Sequence, residues 1–143
     1  IILDKKLEIS TNSQVIKDAN LYKTIIFYNS NNEKKIKLLK KLNVSTHKIP
    51  LNIDCKLDLN LSLKKAHLMG FSRIFLETGL ELTEGFFNKN LINDFKLFIS
   101  NNKLNNNGLH NAKKSLSLFL KNKKNKIEKI NLLGDKLISY KLK

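Results

Sequence analysis

The chain has 143 residues, a single domain's length, and 41% of them are hydrophobic, enough for a sizeable core. One cysteine, Cys55, excludes an internal disulfide, and with only the widely spaced His47, His67 and His110 beside it a metal centre is not expected. The net charge of +15 points towards nucleic acid, but the basic residues are nearly all lysine with Arg73 the one arginine, alongside much Asn and Ile. That composition fits an AT-rich coding bias and a lysine-covered surface better than selective readout, for which arginine is the favoured residue.

In chain order, Ile1-Ile2-Leu3 is an apolar strand without a polar lead-in, so the chain is expected to begin inside a larger protein. Leu7 and Ile9 mark a short extended piece, and Ser10 to Ser13 start a brief helical turn ending near Ile16. Thr24 to Tyr28, β-branched and aromatic and bounded by Asn29-Ser30-Asn31, predicts a strand. Asn32 is placed to cap a helix carrying Ile36, Leu38, Leu39 and Leu42, with Glu33 in its first turn. Val44 to Ile49 is the next strand, ended by Pro50, and Leu51 to Leu57 a loop with one short extended piece. Asn60 to Met69 predicts a helix with Leu61, Leu63, Ala66 and Leu68 as its buried candidates and Gly70 as its stop.

The most informative stretch follows. Arg73-Ile74-Phe75-Leu76 predicts a strand buried on both faces, ending at Glu77; Thr78 and Gly79 turn the chain into a helix bearing Leu80, Leu82, Phe86 and Phe87 and closing at Asn88-Lys89-Asn90. A carboxylate at a strand's carboxyl end, then a glycine and a helix start, gathers an acceptor, an approachable backbone and unpaired N–H donors. Such a junction binds phosphates in some proteins and in others is only a turn. Phe95, Leu97 and Ile99 give another strand, and 101–107, ending at Gly108, is a low-complexity loop. Lys121 to Lys126 predicts a solvated turn, and Ile127 to Leu133 pairs with Leu137 to Leu142 as an antiparallel hairpin around Gly134-Asp135. The expected class is α/β: a mixed, mostly parallel sheet flanked by helices, with a C-terminal antiparallel hairpin. No apolar run is long enough to cross a bilayer and no signal-peptide pattern is present, so a cytoplasmic protein without a membrane partner is expected.

The run Gly70-Phe71-Ser72-Arg73-Ile74-Phe75-Leu76-Glu77-Thr78-Gly79, continued by Phe86-Phe87-Asn88-Lys89-Asn90-Leu91-Ile92-Asn93-Asp94-Phe95, resembles the pattern of an apolar strand, Glu, a small residue, Gly, a helix and Leu-Val-Asp-Glu. That pattern belongs to the reductase domain of the bifunctional riboflavin biosynthesis deaminase-reductase, which has a dihydrofolate reductase-like fold. Ile2-Leu3-Asp4 is similar to the family's Val-Leu-Asp segment, and Gly134-Asp135 with Leu137-Ile138-Ser139-Tyr140 to its closing strand. The resemblance implies that 1–143 is one reductase domain, N-terminally truncated so as to lack its first strand and helix, with a deaminase domain preceding it.

It also implies an activity: NADPH-dependent reduction of the ribosyl group of 5-amino-6-(5-phosphoribosylamino)uracil to its ribityl form, by a homodimer. Glu77 matches the family's substrate-binding glutamate, against a capping or salt-bridge role. Gly79, Leu80, Glu81, Leu82, Thr83, Glu84 and Gly85 match the cofactor-binding loop and first helical turn, although Glu81 and Glu84 also suit a helix dipole and Thr78 replaces a smaller residue. Lys5 stands where the family has a serine beside the cofactor, able to pair with a phosphate or to be one more surface lysine. No catalytic residue is assigned. A catalytically silent dimerisation or binding module of the same fold, and a basic nucleic-acid-binding domain, are the alternatives.

Overall fold

The computed structural model describes residues 1–102, 113–130 and 133–143. They fall into two compact units, Ile1–Phe75 and Leu76–Lys143.

The first unit is built on a parallel sheet of order β1-β2-β3, with β1 at Ile2–Leu3, β2 at Ile25–Tyr28 and β3 at Ser45–Lys48. Its register sets Ile2 against Ile26, and Ile25 to Tyr28 against Ser45 to Lys48. All four residues of β2 are buried, and their alternation divides the core. Ile26 and Tyr28 join Leu39, Val44, Ile16 and Leu7 on one face, whereas Ile25 and Phe27 join Ile49, Leu57 and Ala66 on the other. A strand covered on both faces has no polar positions to alternate, which is why β2 reads as an unbroken apolar run.

Three helices accompany this sheet: α1 (Gln14–Lys17, followed by a 3₁₀ turn at Asp18–Asn20), α2 (Glu33–Lys41) and α3 (Leu59–Leu68). Asn32 caps α2 as expected, its side chain accepting from the Lys35 amide at 3.0 Å. Asp58 does the same for α3. The buried positions of α3 are Leu59, Ser62 and Ala66, while Leu61 is 39% and Leu68 72% exposed, so the expected buried set is corrected except at Ala66. Small residues set the phase of the helix, and Ser62 can be buried because its hydroxyl donates to the Asp58 carbonyl at 2.7 Å. The expected extended piece at Leu51 to Leu57 is an isolated antiparallel bridge between those two residues.

The predicted strand at Arg73–Leu76 does not form. Residues 71–79 join no strand or ladder, Ile74 is 46% exposed and Phe75 87%, and 72–77 make no hydrogen bond among the described residues. The stretch has strand composition, but it crosses the boundary between the two units and finds no neighbouring strand to satisfy its backbone.

The second unit contains α4 (Leu80–Asn88), β4 (Asp94–Ile99), α5 (Lys113–Leu120), β5 (Asn125–Ile127) and β6 (Lys136–Lys141). Its sheet is antiparallel, of order β4-β6-β5. Phe87 of α4 stacks on Phe119 of α5 at 4.9 Å and meets Phe95 of β4 edge-on at 5.2 Å, so α4 lies against both α5 and the Phe95 face of the sheet. The C-terminal antiparallel pairing is as expected, but its first strand is Asn125–Ile127 and ends where the predicted strand was to begin. Helix α5 was not foreseen. Of the predicted low-complexity loop, 103–108 lie outside the described residues, as do His110 and the Asn131-Leu132 part of the predicted hairpin. The α/β class, parallel early and antiparallel late, is therefore present, with its strands shared between two three-stranded sheets.

Candidate functional site

Because β1, β2 and β3 run parallel, their carboxyl ends lie at one edge of the sheet, where open α/β sheets bind ligands. That edge is strongly braced. Asn29, just after β2, donates its amide to the Lys5 carbonyl at 2.9 Å and its side-chain Nδ2 to the Ile49 carbonyl at 2.7 Å, strapping together the segments that follow all three strands. The Asp4 carboxylate accepts from the amides of Glu8 and Ile9 at 3.0 and 2.8 Å, holding the tight turn in which buried Leu7 takes a φ of 61°. Lys5, itself half-buried, directs its ammonium to the carbonyl of the exposed Cys55 in the 51–57 loop at 2.9 Å. Lys48, the last residue of β3, donates to Asn31 Oδ1 at 2.9 Å. Sequence reading singled out neither Asn29, Asn31 nor Lys48, since their partners are 17 or more residues away and leave no local pattern.

In mid-β3, His47 packs its ring edge-on against Phe27, with centroids 6.1 Å apart. Partial burial, then the positive charges of Lys65 and Lys40, hold its pKa below the ordinary histidine value. His67 is exposed on α3.

The second unit collects the other sequence-predicted residues at the start of α4. Glu77 is exposed and has neither a hydrogen bond nor an ion pair among the described residues, so the capping and salt-bridge roles find no support there. Gly79 is the N-cap of α4, with φ −71° and ψ 172°, and nothing within 4 Å of where a Cβ would stand. Any residue could adopt that backbone, so the chain itself makes no demand for glycine here. No side chain caps the helix, and the amides of Leu80 and Leu82 meet no acceptor among the described residues. Thr83 Oγ1 donates to the Gly79 carbonyl at 3.0 Å and lies 3.0 Å from Thr78 Oγ1, which makes the Thr78 hydroxyl the donor of that second bond. Thr78 thus braces the turn. Glu81 lies in the first turn, where the helix dipole favours a carboxylate, and Glu84 and Gly85 follow half-buried.

A shallow cleft of about 360 Å³ also lies on the antiparallel sheet, lined by Lys96, Lys126, Glu128, Ser139 and Lys141 among others. Three of its four lysines are already engaged: Glu128 lies 3.1 Å from Lys126 and 3.7 Å from Lys96, and Lys141 lies 3.0 Å from Asp94. The hydrogen bond from Ser139, then that from Lys126, holds the Glu128 carboxyl below its usual range.

Residues 1–130 match the family model of the RibD C-terminal domain. The chain belongs to that family. The fold agrees with that membership. RibD of Acinetobacter baumannii superimposes in two forms with TM-scores of 0.62 and 0.63 at 16% identity, over 98% of this chain and 36% of that one. A pyrimidine reductase-like protein of Corynebacterium diphtheriae gives a TM-score of 0.66 at 14% identity, over 97% of this chain and 58% of that one. At such identities the likeness is one of fold, the dihydrofolate reductase-like α/β fold, and the chain spans little more than a third of the length of RibD. No curated protein sequence matches this chain. Among the described residues no helix is long and apolar enough to cross a membrane.

Proposed function

We propose that this RibD C-terminal domain reduces the ribosyl group of 5-amino-6-(5-phosphoribosylamino)uracil to its ribityl form, with NADPH as the reductant. The observation that carries the reading is Gly79: a glycine required neither by its backbone conformation nor by a neighbouring atom, at an uncapped helix start with amides to offer. A phosphate group drawn close to that backbone would account for the missing side chain and for the absent cap.

Bound NADPH would supply the hydride. The residues of this chain would hold two anionic ligands in register, and most of the acceleration would come from that proximity. Glu77, exposed and uncommitted, would accept hydrogen bonds from the sugar hydroxyls and fix the opened ribose. Thr78 and Thr83 would keep the Gly79 backbone rigid for the cofactor.

The test is titration calorimetry with NADPH on the wild-type chain and on Gly79→Trp, a change with open space to enter. Binding that is lost in Gly79→Trp, with thermal unfolding unchanged, supports the reading; Glu77→Gln should then weaken the aminopyrimidine without altering NADPH. Absence of NADPH binding to the wild-type chain overturns it and favours a catalytically silent module of the same fold.

A further inference from the structure

Strand β3 closes its sheet on one side, and no strand pairs with it there among the described residues. The Ser45 amide donates to the Thr24 carbonyl at 3.0 Å and the Ile49 amide to the Tyr28 carbonyl at 2.7 Å. In a parallel ladder only alternate residues bond a given neighbour, so Thr46 and Lys48 turn their backbone N–H and C=O groups to the free edge, where they meet no partner among the described residues. An open groove of about 510 Å³ lies against this edge, lined by Lys40, Asn43, Val44, Ser45, Thr46 and His47, with no carboxylate among them. Thr46 pairs with Ile26 and so shares the face of the sheet that α2 covers; its hydroxyl is shut off from solvent and has no hydrogen-bond partner. Lys48, two residues on, belongs to the same face and keeps donors to spare beyond its bond to Asn31. Neither Lys48 nor Lys40 of α2 has an ion pair among the described residues. Behind partial burial, Lys65 and Lys40 are what hold His47 towards its neutral form, so this edge carries positive charge on both faces.

We infer that the free edge of β3 takes an extended acidic segment of another protein as an added strand, with its backbone bonding Thr46 and Lys48 and its alternate carboxylates on the α2 face beside Lys40 and Lys48. Main-chain bonds supply affinity in such strand addition, and the side chains of one face supply selectivity. A second copy of this chain is a poor occupant, since β3 set against β3 brings lysine-bearing edges together on a chain of net charge +15. The same charges that repel a copy attract a carboxylate-bearing strand. No nucleotide enters this inference, which stands apart from the cofactor reading.

A fluorescent peptide alternating valine and glutamate would be titrated against the whole chain and followed by anisotropy. Saturable binding is expected, falling with added salt and weakened about tenfold by Lys40→Glu. Thr46→Pro deletes an outward N–H and leaves the ladder to β2 whole, so binding should be largely lost while thermal unfolding changes little. The fully N-methylated peptide tests the same bonds on the unaltered protein: it keeps the charges, cannot donate, and should not bind. Failure of the wild-type chain to bind the plain peptide overturns the inference. So does equal binding of the N-methylated peptide, which would mark a general polyanion surface, or of a valine–lysine peptide. Sedimentation of the chain as a dimer that Thr46→Pro splits also overturns it, by giving the edge to a second copy.

Discussion

The two units bury their residues very differently. In the first, a short parallel sheet is covered on both faces, and Phe27, Ile26, Leu39 and Val44 are shut away from solvent. In the second, only Phe86 and Leu137 are buried among the described hydrophobic residues, and the antiparallel sheet is held by a row of half-buried rings and by surface charges. Polar groups follow the same division. Asn29 and Lys5 each bind main chain across the first unit and Asp4 braces its own turn, whereas the Lys141–Asp94 pair of the second is solvent-exposed at both ends and contributes little. A rigid frame of buried apolar strands is what fixes side chains at a strand end to within a hydrogen bond's tolerance; a helix start over a thinner core can still present backbone amides, since those are set by the helix itself.

The contrast predicts unequal responses to core deletion. Phe27→Ala should cost about 3–5 kcal/mol, because it empties a site enclosed by β2, α3 and the 51–57 segment, and urea unfolding followed by circular dichroism should show it. Phe87→Ala removes one stacked and one edge-on ring contact from a half-buried position and should cost only about 1–2 kcal/mol. Hydrogen exchange should then quicken in β4 and β6 while the β2 amides stay protected. Equal losses from the two substitutions would erase the distinction between the units.

The smallest expected effects lie in the acid response. The folded-state pKa of His47 is depressed, so as pH falls through its ordinary value of 6.5 the unfolded chain takes up a proton first. Stability contributed by the neutral ring is complete above 6.5 and declines from there down to the folded pKa; His47→Gln should flatten this part of a pH-dependent unfolding profile. Glu128 has a depressed folded pKa as well, but as a carboxylate it stabilises above its ordinary 4.5 and loses that contribution only in stronger acid. Glu128→Gln should leave the milder window untouched. The two units thus weaken in separate pH ranges, and coincident ranges would contradict this assignment.

Much of this was legible where the signal is local. The apolar run of β2 between Thr24 and Asn29, the Asn32 cap, and the helix opening at Gly79 are patterns within a few residues, and each forms as read. What escaped depends on partners distant in sequence. Ile74 and Phe75 have strand chemistry but no ladder, the phase of α3 follows the close approach of Ser62 and Ala66 rather than its leucines, and the Asn31–Lys48 pair exists only because two strands lie in register. At the candidate site the residue pattern marks the Glu77–Gly79 junction as either a phosphate site or a plain turn, and only the family resemblance gives Glu77 and Gly79 their separate roles.

Arg73 lies in the exposed, unladdered stretch on the boundary between the units, and it is the only arginine in the chain. A lysine-rich protein would be shredded by a protease that accepts any basic residue, yet one strictly selective for arginine has a single bond to cut, between Arg73 and Ile74. Accident of composition has left this molecule with one clean seam, through which the parallel half and the antiparallel half could be obtained as separate polypeptides without altering a residue of either.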